Sequence, residues 1–253
     1  MLDFTVFEQL AIYYETLDTE QFEVILKSSY PYQRMISEYE CALLEVETKL
    51  KVLNLEFSVK KESNPIESIK SRIKTPTSFI NKLKRRNISL NKQDIEDNIF
   101  DIAGIRVICH FVDDVYSIIE SLKNQYDLKI FEEKDYIKNP KPNGYRSYHL
   151  IVEVPVFLYE QMIYRKVEIQ FRTIGMDFWA TTEHKIRYKK NIKNTEKIQK
   201  ILYDCAVLSA QLDDKMKTVR NIILEQKKNE VWTPFFYYLK KFLIFWKNDS
   251  VSL

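Results

Sequence analysis

Glycine is nearly missing from this chain of 253 residues, which has three: Gly104, Gly144 and Gly175. That excludes a Walker loop and a dinucleotide-binding glycine fingerprint, so any nucleotide phosphates must be held by side chains and metal. Cysteine is equally scarce. Cys41, Cys109 and Cys205 are far apart, odd in number and set in apolar patterns, which fits neither a disulfide framework nor zinc spacing. They are expected to be reduced core residues of a cytoplasmic protein. Charge of one sign is also lacking: 39 Lys and Arg against 36 Asp and Glu leave +3. Bulk electrostatics therefore argues for no nucleic acid, DNA included, and only the basic clusters at 82–86 and 185–190 could carry such a claim. No run approaches the roughly 18–20 apolar residues of a membrane span. The N-terminus, with Asp3, Glu8 and Glu15, shows no signal-like segment.

What is present reads as a globular chain, 45% hydrophobic and 30% charged, long enough to bury a proper core. Helical spacing marks residues 4–27 and 31–54, the second with Ile36, Leu43, Leu50 and Leu53. Asn64 and Pro65 resemble an N-cap and first helical residue, predicting a short helix to about Ile73. Thr75 and Pro76 open another, with Phe79, Ile80 and Leu83 on one side and Lys82, Arg85 and Arg86 on the other. From 100 to 172 the period becomes two, predicting strands near 102–111, 127–137, 146–155 and 164–172. Between the first two, Asp113 and Asp114 are expected to cap a helix bearing Val115, Ile118, Ile119 and Leu122. Helix resumes from Gly175 to about 228, with a stripe through Ile198, Ile201, Cys205, Leu208, Leu212, Met216 and Val219. This order implies an α/β or α+β sheet with helical flanks. The aromatic stretch 232–246 leaves three readings open: a packed terminal helix, an oligomer or partner contact, or an interfacial membrane anchor.

Residues 138–149, KNPKPNGYRSYH, gather bases, an aromatic ring, amide donors and an imidazole in one turn, which suits a purine nucleotide. Asp101 heads one apolar strand. Glu168 shares parity with Gln170 and Arg172 on another, while Val167, Ile169 and Phe171 face the core. Taken singly these are solvated strand positions, but with Arg106, Lys141 and Arg172 nearby they suggest magnesium held by carboxylates plus phosphate oxygens. Tyr145 either anchors its loop or stacks on a base. His110 reads as a locally satisfied strand residue, and His184 as a helical residue facing the strands.

Together these blocks resemble the synthetase domain of RelA/SpoT-type enzymes, and within it the small alarmone synthetases. The matching segments are 72–74 (RIK) with Ser78 and Lys82, 101–107 (DIAGIRV), 134–137 (KDYI), 140–149 (PKPNGYRSYH), 167–173 (VEIQFRT), 176–180 (MDFWA) and 183–189 (EHKIRYK). The resemblance implies a mixed sheet flanked by helices, and magnesium-dependent pyrophosphoryl transfer from ATP to the ribose 3′-hydroxyl of GDP or GTP, giving (p)ppGpp. It assigns Asp101 and Glu168 to catalysis and the metal. Arg72, Lys74, Ser78, Lys82 and Arg106 go to ATP, and Lys141, Asn143, Tyr145, His149 and Gln170 to GDP or GTP. The expected organisation is a helical region at 1–60, a catalytic core at 61–190 and an oligomerising helix at 191–229, followed by an aromatic tail at 230–253 whose role is open. Small members commonly form homotetramers, and regulation by (p)ppGpp or RNA is a further expectation. Tyr148 and Phe171, where the family has smaller aliphatic residues, and the aromatic tail are departures. They keep alive a toxin relative that pyrophosphorylates the 3′ end of tRNA and pairs with an antitoxin. A non-catalytic nucleotide- or RNA-binding regulator is the third reading.

Overall fold

Alternating apolar and polar residues give a strand two unlike faces, and in the computed structural model five such strands form one mixed sheet. The structure describes the backbone of residues 4–61, 64–187 and 195–249, and the side chains of 10–59, 64–186 and 196–227. The strands are β1 (Ile66–Ile73), β2 (Ala103–Cys109), β3 (Lys129–Asp135), β4 (Tyr148–Phe157) and β5 (Met162–Thr173), in the order β1-β2-β5-β4-β3. The central β2 and β5 run parallel, and the other neighbours are antiparallel.

One sheet face is the core. Ile105 and Val107 of β2, Leu150 and Val152 of β4, and Val167, Ile169 and Phe171 of β5 are buried on it. Helix α3 (Tyr30–Lys61) covers this face with Leu43, Val46, Leu50 and Leu53, beside α6 (Val112–Lys123) with Val115, Ile118, Ile119 and Leu122. Burial of each such side chain contributes about 1.5–3 kcal/mol. Arg165 of β5 also points to this side. It is ion-paired to Glu38 of α3, and to Glu96 of α5 (Lys92–Asn98) at 3.2 Å, so the buried cation is matched. Among the described residues no helix is long and apolar enough to cross a membrane.

Several expectations are corrected. The front piece is α1 (Phe4–Thr16), α2 (Thr19–Ser28) and α3, because Asp18 accepts from the Gln21 N–H at 2.8 Å and starts a new helix. Where a helix from Asn64 to Ile73 was expected, residues 66–73 form strand β1. A β-bulge sets Ile66 opposite Cys109 and Ser68 opposite Ile108. The extra residue, Glu67, puts Ile66 and Ile69 on one face three positions apart, which imitates helical spacing. Asp113 and Asp114 do not cap α6: the cap position is Phe111, and both carboxylates instead meet Arg220 of α8 (Thr195–Asp249) at 3.1 Å. Where one helical run from Gly175 to about 228 was expected, the described residues give α7 (Ile174–Arg187) and α8, which continues to Asp249. Cys205 is exposed rather than in the core, and His184 is exposed on α7. Residues 188–190 of the second basic cluster, and the side chains of the aromatic tail, lie outside the described residues.

Candidate active site

The polar sheet face opposite the core is built by register. Pairing of Arg72 with Gly104, Lys70 with Arg106, Gly104 with Glu168, Arg106 with Gln170 and Gln170 with His149 sets these residues side by side across four strands. Gly104 leaves an opening among larger neighbours, and a cleft of about 250 Å³ lies over it, lined by Lys70, Arg72, Gly104, Arg106, Glu168 and Gln170.

At one end is Asp101, just before β2. Its carboxylate takes Lys74 Nζ at 3.0 Å and Lys82 Nζ at 2.6 Å. Lys82 stands on α4 (Pro76–Arg86), whose first turn is fixed by the Thr75 hydroxyl accepting from the Ser78 N–H at 3.3 Å. Burial alone would raise the Asp101 carboxyl, but the two ammonium groups outweigh it and hold it below its ordinary value. Burial draws Lys82 downward, and crowding by Lys74 and Arg86 adds to this despite the contact with Asp101. The Thr75 hydroxyl also donates to the Ser78 hydroxyl, at 2.8 Å, and Ser78 is exposed. No contact joins it to the other expected site residues among those described.

At the other end, Glu168 Oε1 faces His149 Nδ1 at 3.2 Å, and its Oε2 accepts from Gln170 Nε2 at 3.0 Å. Burial raises this carboxyl, the His149 and Gln170 contacts outweigh that, and it too lies below its ordinary value. His149 Nε2 lies 2.8 Å from the Tyr145 hydroxyl, which accepts from Arg172 Nη2 at 2.9 Å. The chain Arg172, Tyr145, His149, Glu168 is continuous. The turn that delivers Tyr145 depends on Gly144, at φ +88°, and on Asn143, whose Oδ1 accepts from the Tyr145 N–H at 3.2 Å. Lys141 lies over Tyr145 at 5.0 Å and over Tyr136 at 4.5 Å.

The twelve expected site residues thus fall on one face and its rim, with Ser78 at the helix start. Sequence reasoning missed Asp177 and Tyr136. Asp177 lies in the first turn of α7 and takes Arg172 Nη1 at 2.9 Å and Arg106 Nη1 at 3.3 Å on the same oxygen. It supplies part of the compensation expected from an anionic ligand alone. Both residues stand in motif segments quoted above, MDFWA and KDYI, but only the fold brings them to the site.

Residues 71–193 match the family described as a region found in RelA / SpoT proteins. The chain is 44% identical to the GTP pyrophosphokinase YwaC of Bacillus subtilis over 72% of its own length and 87% of that protein. It is 35% identical to YjbM of the same organism, also named a GTP pyrophosphokinase, over 77% of this chain and 90% of the relative. The structure of small alarmone synthetase 1 from Bacillus subtilis, bound to its product pppGpp, matches with a TM-score of 0.70 at 34% identity, covering 77% of this chain and 99% of that one. Small alarmone synthetase 2 from that organism gives 0.68 at 42% identity, covering 75% and 98%. The chain belongs to the RelA/SpoT family, among its small alarmone synthetases.

Proposed function

We propose that the protein is a GTP pyrophosphokinase, which moves the pyrophosphoryl group of ATP to the ribose 3′-hydroxyl of GDP or GTP, releasing AMP and making (p)ppGpp. The observation that carries this reading is one sheet face with a cleft lined by Arg72, Arg106, Glu168 and Gln170, the lysine-bound Asp101 just before β2, and the His149–Tyr145 chain attached to Glu168. The activity named for both relatives supports it.

Arg72 and Arg106 flank the adenine, and Lys74, Ser78 and Lys82 take the ATP phosphates beside the positive end of α4. Tyr145 stacks on guanine, with Lys141, Asn143, His149 and Gln170 around the acceptor. Glu168, ionised and steadied by His149, accepts the proton of the attacking 3′-hydroxyl as that oxygen bonds to the β-phosphorus of ATP. The bond from that phosphorus to the α-phosphate oxygen breaks, and AMP leaves.

Asp101 and Glu168 would hold magnesium, and they fit it. Their oxygens are hard donors, and the charge of Asp101 opposes ionisation of Glu168, a repulsion that a cation relieves. No cluster of three or more His, Cys, Asp or Glu ligands occurs among the described residues, and magnesium typically takes one or two carboxylates with phosphate oxygens completing the shell. When bound, the ion would offset charge developing on the transferred group. We further propose that the protein works in the cytoplasm as a homo-oligomer, paired through the exposed apolar face of α8.

The test is to supply magnesium and ATP labelled at its β- and γ-phosphates with GDP, GTP or deacylated tRNA in parallel. Label in guanosine tetra- or pentaphosphate supports the proposal. Label confined to tRNA replaces it with the toxin reading, and no transfer despite ATP binding leaves the non-catalytic one.

A further inference from the structure

The side-chain arrangement around Asp177 joins a cleft residue, Arg106, to the Arg172–Tyr145 hydrogen-bond chain. One oxygen, Oδ1, is shared by Arg106 Nη1 at 3.3 Å and Arg172 Nη1 at 2.9 Å. Arg106 lines the cleft between Lys70 and Gln170, whereas Arg172 turns the other way, giving Nη2 to the Tyr145 hydroxyl at 2.9 Å and to Gln170 Oε1 at 3.0 Å. The Nε atoms of both arginines are buried without a hydrogen-bond partner, and the Arg172 side chain is 6% exposed. Two guanidinium groups this close repel in a poorly solvated site, and the carboxylate between them offsets that repulsion.

Asp177 is also firmly placed. It sits in the first turn of α7, where a negative charge is favoured. That turn is fixed by the Thr173 hydroxyl, which accepts from the Met176 N–H at 3.1 Å and donates to Asp213 of α8 at 2.6 Å. One carboxylate oxygen shared by two cations is a competition: whatever draws one cation away leaves more charge for the other.

We propose that Asp177 is a positioning residue through which occupation of the ATP end is felt at the guanine-nucleotide end. The proposal rests on the assignment of Arg106 to ATP and Tyr145 to the acceptor. When adenine engages Arg106, the Asp177 carboxylate falls to Arg172, which then holds the Tyr145 hydroxyl, and with it the ring, in one place. Pre-ordering that ring makes GDP bind more tightly, and linkage requires that GDP strengthen ATP binding by the same factor.

The test is equilibrium binding of GDP to the full chain by calorimetry, with and without a saturating non-hydrolysable ATP analogue. In the wild-type protein the analogue should strengthen GDP binding about fivefold or more. Asp177→Asn keeps an acceptor but not the charge, and should bring that ratio to about one. Arg106→Ala should do something a merely structural role would not: GDP alone should bind as tightly as it binds wild type in the presence of the analogue, with no further gain on adding it. This second variant decides the matter if Asp177→Asn fails to fold. A wild-type ratio of one, or a ratio unchanged in Asp177→Asn, overturns the link while leaving the synthetase reading intact if turnover persists. Failure of wild type to bind either nucleotide overturns both.

Discussion

Tyr145 does two jobs with separable parts, a ring beside Lys141 and a hydroxyl between Arg172 and His149. Removing the ring in Tyr145→Ala should leave ATP binding largely intact and abolish synthesis, and comparable synthesis would refute stacking. Tyr145→Phe keeps the ring and loses two hydrogen bonds, of which the one from the charged Arg172 donor is worth about 1.5–3 kcal/mol. Synthesis by that variant should fall about tenfold or more, with GDP affinity reduced less than in the alanine variant. Glu168 makes a prediction with a sign. Its carboxyl is held below the ordinary carboxylate value in the folded protein. Its ionised form therefore adds stability that is present at neutral pH and is lost as pH falls through the depressed folded value. Urea unfolding of Glu168→Gln should consequently show a shallower loss of stability below about pH 5 than wild type. At neutral pH that variant should lose about a hundredfold or more in synthesis if Glu168 is the base.

Turns and strand ends decide how well the elements deliver those residues. A Cβ added at Gly144 would lie 2.6 Å from the Ala206 Cβ on α8, and φ there is +88°. Gly144→Ala should therefore destabilise by about 1–3 kcal/mol, read as a lowered unfolding midpoint, and should weaken GDP binding more than ATP binding because only the acceptor turn is displaced. Glu38→Ala in α3 leaves the buried Arg165 with Glu96 as its remaining carboxylate partner, and a loss of about 1–3 kcal/mol is expected in urea unfolding. Much of this was legible because period two is a strong signal: the parity of Glu168 and Gln170 against Val167 and Ile169 is as observed, as is α4 with its Thr75 cap. Strand β1 was not legible, since Asn64 and Pro65 imitate a helix start and a bulge at Glu67 breaks the strand parity, and only pairing with β2 reveals it. Asp177 escaped for a similar reason, because a carboxylate acquires meaning from two arginines that the chain brings together only in three dimensions. The departures Tyr148 and Phe171 turn out to be buried, paired across β4 and β5 on the core face, with the Tyr148 hydroxyl donating to Glu133 at 2.6 Å. They fill the core and leave the site's polar face unchanged.

At the scale of the whole molecule α8 has two unlike sides. Its inner side braces the site: Ala206 lies against the Gly144 turn, the Trp179 indole N–H donates to the Leu202 carbonyl at 2.7 Å, Asp213 accepts from Thr173, and Arg220 reaches Asp113 and Asp114. Its outer side carries Ile201, Cys205, Leu208, Leu212, Met216, Val219 and Ile223, all exposed and spaced by threes and fours, as in the seam of a helical pair. Such a contiguous apolar stripe is rarely left in water, and the proposed oligomer would cover it with the same stripe of a second copy. The stripe on α3 behaves differently: Leu43, Leu50 and Leu53 are spent on the core. Replacing Leu208 and Leu212 together by Glu should therefore lower the mass seen by light scattering to that of one chain while leaving the far-UV spectrum helical. Because the inner side of the same helix holds the acceptor turn, the separated chains should bind GDP more weakly than ATP relative to the parent. An unchanged mass would show that another surface assembles the protein, and a monomer with unchanged GDP affinity would show that α8 braces the turn without help from a partner.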